Sequence, residues 1–161
     1  MTDDFELRRV LGHFATGVSV VTTSFRGEPH GLTVNSFTSL SLEPPQLIVC
    51  LKRGNRSYHA FEAATHFAVN VLAEGQVDLA RLFASTREEK FRGVEHAPGA
   101  ASGAPLLALA HAWLECEVSE RIAAPGTHEI VIGRLLGYSL GDAPPLVFHR
   151  ASYHGLGEAL A

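Results

Sequence analysis

From Ala110 to Ile122 apolar and polar residues alternate, so that Ala110, Ala112, Leu114, Cys116, Val118 and Ile122 share one face of an extended chain. Pro125-Gly126 then turns the chain into a second long run, Glu129–Ser139. Two such strands joined by a short turn lie side by side and antiparallel, because parallel neighbours need a crossover of about a dozen residues or more. No other feature restricts the fold as much.

The rest of the chain is read around that hairpin. Val18–Ser24 is rich in β-branched residues and predicts a strand, and a turn at Gly27 and Pro29 leads into another from about His30 to Ser36. Leu47–Leu51 is almost wholly apolar and predicts a central strand buried on both faces; Phe67–Leu72 and Leu146–His149 predict two more, the last followed by a polar-aromatic tail. Residues 4–15 predict a helix with Leu7, Val10, Leu11 and Phe14 on one face, ended by Gly17, and Ser57–Thr65 and Val77–Ser85 predict two short helices. Ala97–Pro105, made of Gly, Ala, Ser and Pro, is expected to be a mobile loop. Strands dominate and the helices fall irregularly between them. The expected architecture is therefore mainly β, an antiparallel barrel with a few peripheral helices, in one domain spanning residues 1–161.

Composition excludes several function classes. Hydrophobic residues at 46% and charged residues at 19% give a chain able to bury a core, unlike a disordered one. With 13 Lys plus Arg and a net charge of −4, no basic face for nucleic acid is expected. No apolar run approaches the roughly 20 residues of a membrane span. The N-terminus, Met-Thr-Asp-Asp-Phe-Glu, is acidic where a signal peptide is basic and then apolar. Cys50 and Cys116 lie in apolar stretches and form no CxxC pair, which suits reduced thiols in the cytoplasm.

Two segments are rich in groups for chemistry. Gly31–Pro45 carries Thr33, Asn35, Ser36, Thr38, Ser39 and Ser41 inside a strand pattern. Each buried hydroxyl needs a partner, so this is either an exposed polar edge or a wall that meets a flat polar heterocycle, with Val34, Leu40 and Leu51 as its apolar slot. In Cys50–Tyr58 the cations Lys52, Arg53 and Arg56 accompany Asn55 and Ser57 at the start of a helix. That is either a phosphate site or a solvated basic turn that caps the helix. Arg87–Gly93 is a weaker charged-aromatic signal. No GxGxxG follows a strand, no HExxH or GxSxG occurs, and the nine His residues lack metal-ligand spacing, so no metal is expected. His128, opening a strand after Pro125-Gly126, reads from the residues alone as an exposed turn histidine.

In order along the chain stand Phe14-Ala-Thr-Gly-Val-Ser-Val-Val-Thr-Thr23, Thr33-Val-Asn-Ser-Phe-Thr-Ser-Leu-Ser41 with Pro44-Pro45, and Phe67-Ala-Val-Asn-Val-Leu72. Lys90-Phe91 with Gly93, Gly103-Ala-Pro-Leu106, Leu114-Glu-Cys116 and His128-x-Ile-x-Ile-Gly133 follow. This series resembles the flavin reductase-like, FMN-binding split-barrel family, in particular the small reductases of two-component flavin monooxygenases. The resemblance implies an antiparallel split β-barrel that acts as a homodimer. It implies FMN or FAD as the flavin, NADH or NADPH as the donor, and a flavin-dependent monooxygenase as the partner receiving reduced flavin. It matches Thr33, Val34, Asn35, Ser36, Ser39, Leu40 and Ser41 to the isoalloxazine, and Cys50, Leu51, Lys52, Asn55 and Ser57 to the ribityl chain and phosphate. It places Phe91 near the flavin's tail and His128 at the nicotinamide, with Thr127 standing where the family has an acid. A flavin-binding protein without nicotinamide activity and a split-barrel oxidase with another substrate remain as alternatives.

Overall fold

The computed structural model describes residues 3–160. The elements run α1 (Asp4–Leu11), β1 (Thr16–Gly17), β2 (Ser19–Phe25), β3 (Glu28–Val34), β4 (Thr38–Leu42), β5 (Pro45–Lys52), α2 (Tyr58–Ala63) and β6 (His66–Val71). After a single 3₁₀ turn come α3 (Val77–Ala84), β7 (His96–Pro98), β8 (Pro105–Leu107), β9 (Ala112–Ala123), β10 (His128–Leu140), β11 (Leu146–His149) and β12 (Ser152–Gly155). Seven strands form one antiparallel sheet in the order β3-β2-β6-β9-β10-β5-β4, with β1-β11-β12 and β7-β8 as two small satellites. The mainly β, antiparallel split-barrel architecture expected from the sequence is what the chain adopts.

The sheet curls round a core of Val21, Leu32, Val49, Phe61, Phe67, Val69, Cys116 and Val131. Burial pushes the Cys116 thiol up to about 12, with the neighbouring Glu115 adding to the effect, so this sulfur stays protonated. Gly133 is needed where β10 passes over the core, since a Cβ there would lie 2.5 Å from Phe67 Cζ. A second cluster, Val18, Val20, Leu72, Phe83, Leu107 and Leu146, seats α3 and the satellite strands.

Several details differ from the sequence reading, each for a physical reason. Strand β5 is not buried on both faces: Leu47, Val49 and Leu51 point into the core while Ile48 and Cys50 are half-covered on the other side, and β5 lies next to the edge. The alternation in β9 breaks at a bulge, where Val118 faces Gly133 but Glu120 faces Ile132, leaving Ser119 as the extra residue. Beyond it Arg121 takes the inward position and Ile122 turns out to solvent. Helix α1 has the expected amphipathic spacing and an Asp3 cap, yet all of its residues are exposed, because its own chain supplies no surface to cover Leu7, Val10 and Leu11.

The segment 97–105 is not a free loop. Its ends form the β7–β8 hairpin, and Glu115, only 8% exposed, holds its middle. The Glu115 carboxylate accepts hydrogen bonds from Ala101 N (3.0 Å), Ser102 N (2.7 Å) and Ser102 Oγ (2.7 Å). A buried carboxylate is stable only with such partners, so small polar residues here serve close approach rather than mobility.

Candidate functional site

Strands β3 and β4 are the two edges of the sheet, and its curl brings the end of β3 against β5. Ser36, just past β3, joins them: its hydroxyl donates to Cys50 O (3.1 Å) and accepts from Cys50 N (2.9 Å). Beside that bridge, at the opening of the split barrel, lies a cleft of about 340 Å³ whose lining includes Ser36 and Cys50. Its lining comes from Leu32 to Ser36, from Cys50 and Lys52 on β5, from Asn55, from Phe83 and Ala84 at the end of α3, and from His128. A second cavity of about 220 Å³ shares Thr33, Val34, Asn35 and Ala84 with it and adds Val18, Phe148 and Tyr153.

Each wall has a local cause. Gly31 lets α3 approach, since a Cβ there would meet the Phe83 ring at 2.8 Å. The Gly31 carbonyl then accepts from Ser57 Oγ (3.1 Å) and from Lys90 Nζ (3.5 Å), which also donates to Phe83 O at 2.8 Å. Lys90 is buried without a carboxylate partner, and burial pushes its ammonium below the usual lysine range. It ties the end of α3 to β3 beneath the cleft.

His128 and Lys52 face one another across the β10–β5 ladder, which sets an imidazole and a cation side by side at the rim. Thr127 Oγ1 lies 2.9 Å from His128 Nδ1, so the residue standing in place of an acid makes the local contact that orients the ring. Arg53 does not face the cleft: its backbone N donates to Thr127 O and its guanidinium to Ala124 O and Gly126 O, bracing the β9–β10 turn. Arg56 is engaged by Glu88.

The structure thus brings Thr33, Val34, Asn35, Ser36, Cys50, Lys52, Asn55 and His128 together and leaves others elsewhere. Ser39, Leu40 and Ser41 lie on β4 and line no part of this cleft. Leu51 is 2% exposed in the core, and Ser57 is buried against Gly31. Phe91 packs edge-on to Phe83, with ring centroids 5.0 Å apart, behind the wall rather than on it. The hydroxyls that suggested a polar wall are in part structural: Thr33 donates to Ala80 O at 2.7 Å, Ser36 closes the barrel, and Ser41 accepts from Glu43 N. Sequence reasoning missed Phe83, Ala84, Val18 and Phe148, whose only signal was apolar spacing shared with any core residue, and Tyr153, which lay in the polar-aromatic tail. Among the described residues no cluster of metal ligands is present.

A family model described as the flavin reductase like domain matches residues 11–157. The chain belongs to that family. A Rhizobium meliloti protein named "Probable flavin reductase" is 42% identical over 94% of this chain, which spans 48% of that protein's length. The reductase subunit HsaB of a flavin-dependent monooxygenase from Mycobacterium tuberculosis is 37% identical, with 96% of this chain and 83% of HsaB aligned. Among solved structures, the Streptomyces globisporus NADH:FAD oxidoreductase SgcE6, in complex with NAD and FAD fragments, superposes with a TM-score of 0.90 at 37% identity. That match covers 96% of this chain and 93% of the SgcE6 chain. The split-barrel cleft therefore belongs to a flavin reductase-like domain, and no helix among its described residues is long and apolar enough to cross a membrane.

Proposed function

We propose that this flavin reductase-like chain oxidises NADH or NADPH, reduces FMN or FAD, and releases the reduced flavin to a flavin-dependent monooxygenase component. The observation that carries the reading is the cleft at the barrel split, where an apolar floor meets Lys52, Asn55 and His128 at one rim. Its volume lies in the range of small-molecule sites, and its lining suits an amphipathic flat ring. A flavin held there would supply N5 as the acceptor of a hydride from the nicotinamide. The chain's own part is positioning and charge: Lys52 favours the phosphate and the negative charge of the reduced ring, and His128 orients the donor. The two free thiols fit a cytoplasmic location. The test is anaerobic spectroscopy of protein with excess FMN or FAD, titrated with NADH and then NADPH. Bleaching of the visible flavin bands, catalytic in protein, is expected; no bleaching with either donor would sink the proposal.

Replacing His128 with Ala should raise the KM for NADH or slow reduction by roughly tenfold, with flavin affinity near wild type. A rise in KM alone marks donor binding, and a fall in kcat as well marks alignment of the donor. Normal NADH oxidation with lost flavin binding would move His128 to the flavin site.

With Arg53 and Arg56 engaged elsewhere, Lys52 and Asn55 are the groups left to meet a phosphate. Lys52→Ala should weaken FMN by about fivefold while riboflavin is unchanged, a modest effect because water screens this exposed cation. Equal losses for both ligands, measured by fluorescence quenching, would show that the turn only supports the fold.

A homodimer is part of the same proposal. Leu42, Tyr138 and Leu140 are 87%, 77% and 81% exposed, and the apolar stripe of α1 is uncovered. Beside Asn35 a further cavity of about 510 Å³, lined by Phe14, Thr16, Phe37 and Val71, opens to the surface. So much uncovered apolar surface is unusual for a lone subunit. Sedimentation equilibrium should give twice the 17.3 kDa chain mass. A monomer that reduces flavin efficiently would refute the dimer.

A further inference from the structure

Helix α1 turns its charged face, not its apolar one, toward its own chain. Phe5, Arg8, Arg9 and Gly12 recur at the spacing of one face, while Leu7, Val10 and Leu11 lie on the reverse. The charged face meets the turn between β11 and β12, where Arg150 N donates to Gly12 O at 2.8 Å. Between the two elements is a cavity of about 440 Å³, walled by Phe5, Arg8, Arg9, His13 and Arg150. It shares no lining residue with the cleft at the barrel split or with the two cavities beside that cleft.

Three guanidinium groups and an imidazole thus converge on one cavity, in a chain whose net charge is −4. Of the three arginines only Arg9 pairs with a carboxylate, Glu6 at 3.4 Å, and both of those side chains are largely exposed. Arg8 and Arg150 have no carboxylate partner among the described residues, whereas most arginines of the chain do. The macrodipole favours Arg8 and Arg9 in the last turn of α1. It does not account for Arg150, a third like charge set against them. Arg150 and Ala151 also have φ of 49° and 60°, the left-handed region that asparagine and glycine fill most readily in a two-residue hairpin turn.

We propose that this cavity is a second binding site, for a nucleoside diphosphate, with the pyrophosphate among Arg8, Arg9 and Arg150 and the base on the ring of Phe5. Guanidinium forks match phosphate oxygens two at a time, and a multiply charged anion cancels a repulsion among three arginines that one carboxylate leaves in place. Phe5, 68% exposed, offers a flat base an aromatic face. The volume is that of a small-molecule site. The site lies outside the flavin reductase reading, and its test does not require flavin reduction.

The test is calorimetry in low-salt, phosphate-free buffer with ADP, inorganic pyrophosphate and adenosine. Wild type should bind ADP and pyrophosphate at sub-millimolar concentration, and adenosine at least about tenfold more weakly. Arg8→Gln with Arg150→Gly keeps a helix former in α1 and eases the turn, and should weaken ADP and pyrophosphate by roughly tenfold or more. Phe5→Ser should weaken ADP by about threefold and leave pyrophosphate unchanged. ADP should also slow hydrogen exchange of the wild-type amides of residues 7–12 and 150–152, a readout that needs no variant. No binding of ADP at millimolar concentration, unchanged affinity in the double replacement, or no protection of those amides overturns the site. Saturating FAD should leave ADP binding intact; if it blocks ADP, the two compete for one site and the separate nucleotide site falls. Binding of a poly-glutamate peptide where ADP does not bind would make the cavity a protein-docking surface and overturn the nucleotide.

Discussion

Asn70→Leu, which keeps the number and branching of side-chain heavy atoms, is expected to lower stability by about 3–5 kcal/mol. Asn70, on β6, is fully buried, and each of its polar atoms is used. Its Nδ2 donates to Val20 O (3.1 Å), Thr22 Oγ1 (3.1 Å) and Pro105 O (3.3 Å), while its Oδ1 accepts from Leu107 N (2.7 Å). Leucine would leave the Leu107 N–H without a partner in the interior, at about 1–3 kcal/mol for each group so stranded. Thr22 still donates to Pro105 O at 2.6 Å, which spares that carbonyl. The damage should centre on the β7–β8 hairpin, which Asn70 and Trp113 Nε1 (2.7 Å to Leu107 O) fasten to the sheet. At about 2–4 °C per kcal/mol for a chain of this size, the midpoint should fall by roughly 6–20 °C in a thermal scan. A loss below about 1 kcal/mol would mean that the hairpin is held by apolar packing instead.

The second large effect is expected at Arg121, which the β9 bulge turns inward. Its guanidinium meets the Glu129 carboxylate at 3.0 Å, with the two side chains 24% and 11% exposed, and it donates to Ala64 O (3.0 Å) and to Phe61 O. Arg121 thereby secures the end of α2, the helix that follows the Lys52–Ser57 turn. Arg121→Met should cost about 2–3 kcal/mol in urea denaturation, since it leaves Glu129 without its counter-charge and Ala64 O without its donor, while Phe61 O still accepts from Ala64 N and the partial exposure of Arg121 moderates the loss. Arg121→Met with Glu129→Leu should recover much of it, because no lone charge remains. A double replacement as damaging as the two singles added would show that the ion pair matters less than the packing.

The same cluster makes a pH statement. Tyr58 OH donates to Glu129 Oε2 at 3.2 Å, and burial first, then the Glu129 charge, raises the tyrosine above its usual 10. The folded state therefore keeps a proton that the unfolded chain releases above pH 10. This contribution is fully present below that pH and is lost as pH climbs through the raised value.

Local pattern determined much of this molecule. The β9–β10 hairpin, the strand pairs and the two short helices were legible because a period of two or of 3.6 puts apolar residues on one side, whatever that side later packs against. Lys52, Asn55 and the run from Thr33 to Ser36 were legible as polar groups out of place in such patterns, whereas Cys50 and His128 were marked only by the family resemblance. Tertiary structure decided what those groups do. A sequence does not say which hydroxyl will meet a carbonyl from a distant strand, so Ser36 as barrel closure, Thr33 as anchor of α3 and Ser57 as support for Gly31 emerge only when the sheet curls. A bulge at Ser119 reverses every later side chain in β9, which puts Arg121 inside and Ile122 outside with no trace in composition. Glu115 turns a stretch of small residues from a loop into a fixed hairpin. Phe148 and Tyr153 line the second cavity together with Asn35 because β11 and β12 pair beside it, a contact across more than a hundred residues of chain that only closure of the fold makes.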